Sequence, residues 1–255
     1  MERVAQHLFT TKQLQLRPFE RQTEAWAAAA SAVGGALGDL RRIKQVHGRT
    51  VRVVRADDMP PIDPPPEADA SVSNTPGHVL AVQVADCVPL LLADPCTGAV
   101  GAVHAGWRGS AARIAGATVQ TLAQEFGVRP GDLIAAVGPS IGTCCYEVGS
   151  ELLDAFRQAG AGNEELDRWF MRTDAGSLRL DLWNVTRDHL IEAGIHRDRI
   201  YLSRLCTQTH AALFESYRAQ GPNAGRMAAL IRVPPRPTEG TMETMDTMDD
   251  RSKKS

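Results

Sequence analysis

Two apolar runs, Val79–Val84 and Val88–Ala93, lie almost end to end, separated by Ala85-Asp86-Cys87 and broken otherwise only at Gln83. They read as strands of a buried sheet. An acid and a thiol at their junction cost free energy unless they are hydrogen-bonded or bind something. The stretch Asp94-Pro95-Cys96-Thr97-Gly98 has strong turn chemistry and leads into a second apolar strand that ends at His104. If residues 94 to 97 form the loop, Ala93 faces Gly98, and counting outward pairs Cys87 with His104. Opposed residues of an antiparallel pair have Cβ atoms roughly 4.5–5.5 Å apart, a suitable separation for two ligands of one metal ion. A one-residue slip would send the pair to opposite faces.

After His104 the chain reads Ala105-Gly106-Trp107-Arg108-Gly109 and then takes helical spacing, with Ile114, Ala117, Thr118, Leu122 and Phe126 on one stripe. Ser110 is the expected N-cap. A strand thus delivers a histidine, an arginine fork and a helix N-terminus to one place. Such a terminus attracts anions, and Arg108 suits phosphate or carboxylate. The competing reading is a strand–helix turn with no ligand.

The whole chain restricts the function classes. With 255 residues, 43% of them hydrophobic, it can bury a sizeable core. A net charge of −2 argues against a basic nucleic-acid surface. No apolar run has membrane-spanning length, and Met1–Gln13 lacks the apolar segment of a secretory signal. Five cysteines, including the adjacent Cys144 and Cys145, do not look like a disulfide framework and point to a reducing, cytoplasmic setting.

In order, His7–Lys12 reads as a strand, Glu20–Gly35 as a helix with Trp26 and Val33 facing the core, and Thr50–Ala56 as a half-buried strand. His47 lies in a turn beside Gly48. Residues 57–67 form a stiff Pro-rich loop, and Asp69 is either a buried polar residue at a strand start or a cap. Leu133–Gly138 reads as a strand running into the Gly/Ser loop 138–143. Ser150–Gln158 is a helix, 159–176 a polar connection anchored by Trp169 and Phe170, and Leu178–Ala193 a helix in which His189 packs or faces solvent. Asp198–Leu205 and Gly225–Val233 are strands, and the tail 234–255 is expected to be disordered.

Cys87 and His104 need a third ligand to hold a metal, and His47 is the best remaining candidate. A Cys/His/His set with one open position is a catalytic-type zinc site; Cu(I) is also compatible with it. The same residues serve a Cys-His hydrolase, with Cys87 as nucleophile, His104 as base and loop 138–143 as oxyanion hole. A third reading makes Cys87 a small buried hydrophobe, and a fourth makes the metal structural, with Asp86 or a second cysteine completing four ligands.

The segments KQVHG, ADASVSN, VADCVPLLLAD, VHAGWRG, VGPSIGTCCYEVG, FESYR and GRMAALI, in this order over roughly residues 40 to 233, resemble the laccase-domain family. This family is historically labelled multicopper polyphenol oxidase and also described as purine nucleoside phosphorylases. The resemblance implies a single α/β domain over residues 1–233, an α+β layered sandwich of mixed sheets flanked by helices. It implies zinc at His47, Cys87 and His104, which would then be the catalytic residues. It implies phosphorolysis of adenosine, inosine and S-methyl-5'-thioadenosine, with adenosine deamination as a second activity. Partners are then a nucleoside and phosphate, with no nucleic acid and no membrane. Arg108, Ser140 and Lys12 are the expected substrate or phosphate contacts, Lys12 standing where the family usually has an arginine. Some members are linked to peptidoglycan-precursor editing, an amide-hydrolase role. Oxidase activity is disfavoured by the residues: seven histidines with no His-x-His pair cannot hold several coppers.

Overall fold

The structure is a computed structural model that describes residues 1, 4–17, 21–58 and 65–235. Part of the Pro-rich loop and nearly all of the expected tail therefore lie outside the described residues. The strands are β1 (His7–Phe9), β2 (Leu40–Arg41), β3 (Val51–Val53), β4 (Ala70–Ser73), β5 (Val79–Val84), β6 (Val88–Ala93) and β7 (Val100–Ala105). They continue with β8 (Ile134–Val137), β9 (Glu147–Val148), β10 (Phe170–Arg172), β11 (Leu178–Leu180), β12 (Ile200–Leu202) and β13 (Met227–Arg232). The helices are α1 (Thr23–Ala32), α2 (Trp107–Ala111), α3 (Ile114–Phe126), α4 (Ser150–Gln158), α5 (Asn163–Trp169), α6 (Leu182–Glu192) and α7 (Tyr217–Gln220).

The strands form a four-stranded sheet, β1-β13-β5-β2, a six-stranded sheet, β12-β8-β6-β7-β4-β3, and a small sheet, β10-β11-β9. Both larger sheets mix parallel and antiparallel pairs. Alternation within each strand explains why the central runs are apolar throughout. From β5, Leu80 and Val82 meet Leu91, Ala93, Val100 and Ala102 of the other sheet. Val79 and Ala81 point the opposite way, into a cluster with Trp26 and Ala29 of α1. From β6, Leu90 and Leu92 pack with Ile114, Val119 and Leu122 of α3 and with Val185 and Leu190 of α6. The result is a single α+β domain of four layers: helix, sheet, sheet, helices. Among the described residues, no helix is long and apolar enough to cross a membrane.

β5 and β6 are consecutive in the chain but belong to different sheets. Ala85-Asp86-Cys87 is the crossing, and Asp86 takes a left-handed φ of 82° there. The β6–β7 hairpin also differs from the expected pairing. Ala93 faces Val100 and Pro89 faces His104, so the connection spans 94–99 and not 94–97. The Asp94 carboxylate causes the widening: it accepts from the Thr97 amide at 2.9 Å and the Thr97 hydroxyl at 2.6 Å, holding a broad turn. The shift is two residues, so the side-chain face is unchanged. Cys87 and His104 are therefore diagonal neighbours rather than opposed ones.

Three other expectations change. Ser110 is not an N-cap: it lies inside α2, whose cap position is Gly106, and α3 begins separately after Arg113. Leu178–Leu180 is a strand, and the helix starts only after Asp181, whose carboxylate caps the Asn184 amide at 2.9 Å. The connection 159–176 contains α5 and β10, with Trp169 and Phe170 buried as anchors.

Leu91 lies at the centre of the interface between the two large sheets and is fully buried. Leu91→Ala should cost about 2–5 kcal/mol, read as a lowered urea midpoint with unchanged slope. A midpoint within error of wild type would contradict this layering.

Candidate metal centre

One buried carboxylate assembles the site. Asp69 immediately precedes β4 and is completely inaccessible to solvent. One of its oxygens accepts from His104 Nδ1 at 2.8 Å and from the His47 amide at 2.9 Å. The other accepts from the Gly48 amide at 2.6 Å and the Val46 amide at 3.3 Å. Its own carbonyl receives the His104 amide at 2.8 Å. Since the carboxylate only accepts, His104 carries a proton on Nδ1, which makes Nε2 the atom that would bind a metal once its own proton is lost. Burial raises the Asp69 carboxyl, but its bonds from His104, Gly48 and His47 hold it below its ordinary range.

The three expected ligands come together. One donor atom each of His47, Cys87 and His104 lies within 4.8 Å of the others. The His47 and His104 rings meet edge to face, with centroids 4.8 Å apart. His104 is buried on β7, Cys87 is half-buried at the sheet crossing, and His47 is exposed in a turn with φ 61°. The unusual backbone of His47 is held by the amide bonds to Asp69. Burial pushes the Cys87 thiol up, but the facing His104 and His47 outweigh it and bring it down to about 6. Burial pulls the His104 imidazole down, while Cys87 and Asp69 outweigh it and raise it to about 9. Without metal the two form a thiolate–imidazolium pair.

Space for an ion depends on glycine. A Cβ on Gly106, two residues beyond His104 in the same segment, would stand 3.0 Å from Cys87 Sγ and 3.1 Å from His47 Cδ2. A Cβ on Gly109 would stand 2.9 Å from the Gly48 carbonyl, so glycine also lets α2 approach the His47 turn. Asp86 is not a fourth ligand. Its oxygens accept from the Thr207 hydroxyl at 2.5 Å and the Arg218 amide at 2.6 Å, and its carbonyl accepts from the Ile141 amide at 2.9 Å. Those bonds fix the crossing that presents Cys87. Two imidazoles and one thiolate with a fourth side open match a catalytic metal site better than a closed structural one.

The open side faces a cleft of about 840 Å³. Its wall carries Arg17, Arg42, Lys44, Arg108, Arg218 and Arg226, with Trp107, Tyr146 and Tyr217 among them. Arg108 stacks on Trp107 at 4.3 Å, and Arg218 on Tyr146 at 5.0 Å. The model of the family described as "Multi-copper polyphenol oxidoreductase laccase" matches residues 20–234. The chain belongs to this family. Its similarity to a purine nucleoside phosphorylase of Deinococcus radiodurans is 42% identity over 210 residues, covering 82% of this chain and 76% of that one. It is 36% identical over 212 residues to adenosine deaminase RL5 from an unknown prokaryotic organism, covering 81% and 79%. The crystal structure of Bacillus licheniformis YfiH superposes with a TM-score of 0.81 at 31% identity, covering 88% of this chain and 91% of that one.

Two expected contacts lie outside the cleft wall. Lys12 is not in the cleft wall; its ammonium sits on the Ala211 carbonyl at 2.5 Å, and Arg17 stands in the wall instead. Ser140 is fully buried, and its hydroxyl accepts from Trp183 Nε1 at 2.6 Å. In loop 138–143, four backbone amides are engaged and so are not free to form an oxyanion hole. Those of Gly138, Ser140 and Ile141 donate to the carbonyls of Pro89, Leu205 and Asp86, and that of Gly142 donates to Cys206 Sγ. Reading the chain alone missed the role of Asp69 and the arginines beyond Arg108. The signal for Asp69 was an acid set among residues of a buried strand; the arginines, scattered from 17 to 226, share no spacing, and only Arg218 and Arg226 fall in the resembling segments FESYR and GRMAALI.

In metal-free protein, iodoacetamide labelling of Cys87, followed by peptide mass spectrometry, should rise through an inflection near pH 6. Thiolate dominates above that point and thiol below it. An inflection at the ordinary thiol value of about 8.5 would contradict the pairing with His104.

Proposed function

We propose that the chain is a zinc-dependent purine nucleoside phosphorylase. It would act on adenosine, inosine and S-methyl-5'-thioadenosine with phosphate, with adenosine deamination as a second activity. The observation that carries this reading is the open three-donor centre in the floor of an arginine- and aromatic-lined cleft. The names of the relatives support it, one a phosphorylase and another a deaminase.

Phosphorolysis forms a bond from a phosphate oxygen to C1' of the sugar and breaks the glycosidic bond. The base leaves with the bonding pair and takes up a proton. The chain's own contribution is position and charge. Arg108, Arg218 and Arg226 suit the phosphate dianion, and the faces of Trp107 and Tyr146 suit a purine. The role expected of Lys12 passes to Arg17 and Arg226, both in the cleft wall. His47, Cys87 and His104 would hold the zinc. Bound there, zinc would supply the Lewis acidity that activates water near neutral pH, as deamination at the purine C6 requires.

The thiolate–imidazolium pair also favours a second reading, a Cys-His amide hydrolase. The engaged amides of Gly138, Ser140, Ile141 and Gly142 weigh against it. The two readings separate on one preparation, with zinc content measured beside turnover. Wild type, Cys87→Ala and His104→Ala are incubated with adenosine, with and without phosphate, and the bases and inosine are separated by chromatography. Phosphorolysis predicts adenine only with phosphate, and deamination predicts inosine in either case. It also predicts that folded variants lose zinc and at least about 100-fold in turnover. Zinc-loaded wild type that leaves every nucleoside intact would overturn the proposal and make amide substrates the next test.

A further inference from the structure

A second cluster of ligating side chains lies outside the cleft wall. The sulfur atoms of Cys144, Cys145 and Cys206 all lie within 4.8 Å of one another. All three are free thiols. They come from two segments that the fold clamps together. Ser140 and Cys206 form a β-bridge, the Ser140 amide donates to Leu205, and the Thr207 amide donates back to Ser140. The turn that carries Cys144 and Cys145 is closed by the Cys145 and Tyr146 amides on the Gly142 carbonyl, both at 2.9 Å. Arg179 fixes its outer side by donating to the carbonyls of Thr143 and Cys144.

The environment is graded as a metal site needs. Cys206 is buried, Cys145 half-buried and Cys144 exposed, so the cluster has a closed base and an open mouth. The Gly142 amide donates to Cys206 Sγ at 3.3 Å, which favours a thiolate there. The donors are all sulfur and number three among the described residues. Zinc in a structural site takes four ligands, whereas soft thiolates select Cu(I), which is satisfied by three.

We infer that Cys144, Cys145 and Cys206 form a second, all-sulfur metal site that takes a thiophilic d10 ion, Cu(I) being the best match. Each ligating thiol gives up its proton to solvent on binding, and no redox step is involved. The bound ion would act as a fastener. It would tie the turn preceding the cleft residue Tyr146 to the segment of Thr207, whose hydroxyl holds Asp86 at the sheet crossing. This inference is independent of the reaction proposed above.

The test uses reduced, anaerobic Cys87→Ser protein, in which the first centre has lost its thiolate. It is titrated into the coloured Cu(I)–bicinchoninate complex. The site predicts that one Cu(I) per chain leaves the chelator. It also predicts affinity weakened by more than about tenfold in both Cys87→Ser/Cys206→Ser and Cys87→Ser/Cys144→Ser. Because Cys144 is exposed, the second variant tests the site without disturbing the core. Copper left on the chelator, or double variants that bind as tightly as Cys87→Ser, would overturn the inference. So would a disulfide among the three cysteines in the protein as reduced and purified.

Discussion

The Asp69 carboxylate is the constraint on which the site depends. It accepts four hydrogen bonds at the junction of β4 with the His47 turn, and it does so out of contact with solvent. A buried charge is tolerated only when its lone pairs are satisfied. Here the partners that satisfy it are the backbone of one ligand and the ring of another. The same interaction that makes Asp69 affordable inside the protein orients His47 and His104 toward one point. Stability and function share these bonds, so the local fold cannot relax without moving the ligands.

The other half of the centre follows from topology. A chain that passes from one sheet to the other between β5 and β6 must leave both ladders at residues 85–87. Backbone groups freed there need partners. The Asp86 carbonyl accepts from Ile141, and its side chain takes Thr207 and the Arg218 amide. With Asp86 turned away into those buried bonds, Cys87 is left facing His104. The crossing is thus both the strained point of the sandwich and the place where a thiol is exposed to a ligand cleft. Gly106 completes the arrangement by leaving empty the volume that a side chain would fill.

Much of this was legible from residue order. The bounds of β5 and β6, the helix over Ile114–Phe126 and the core positions of Trp26 and Val33 follow from apolar pattern, because that pattern reports burial directly. The hairpin register was misread by two residues, since the Asp94–Thr97 bonds widen the turn in a way that turn propensity does not encode. Cys87 and His104 still met because an even shift keeps the face. His47 was tied to them by elimination and resemblance and not by spacing, as a turn residue has no period to read. Lys12 and Ser140 lie outside the cleft wall for one reason: neighbours in sequence to a site need not face it. Lys12 turns to Ala211 and Ser140 to Trp183.

The most direct test of this account is the zinc affinity of Asp69→Asn beside wild type, measured by chelator competition at neutral pH. An asparagine keeps the size of the side chain but offers one acceptor oxygen in place of two. Wild type should hold one zinc per chain at the His47/Cys87/His104 centre, and Asp69→Asn, with an unchanged far-UV spectrum, should bind it about 10–100-fold more weakly. Equal affinity in the two proteins would show that the buried carboxylate does not organise the centre, and the account built on it would fail.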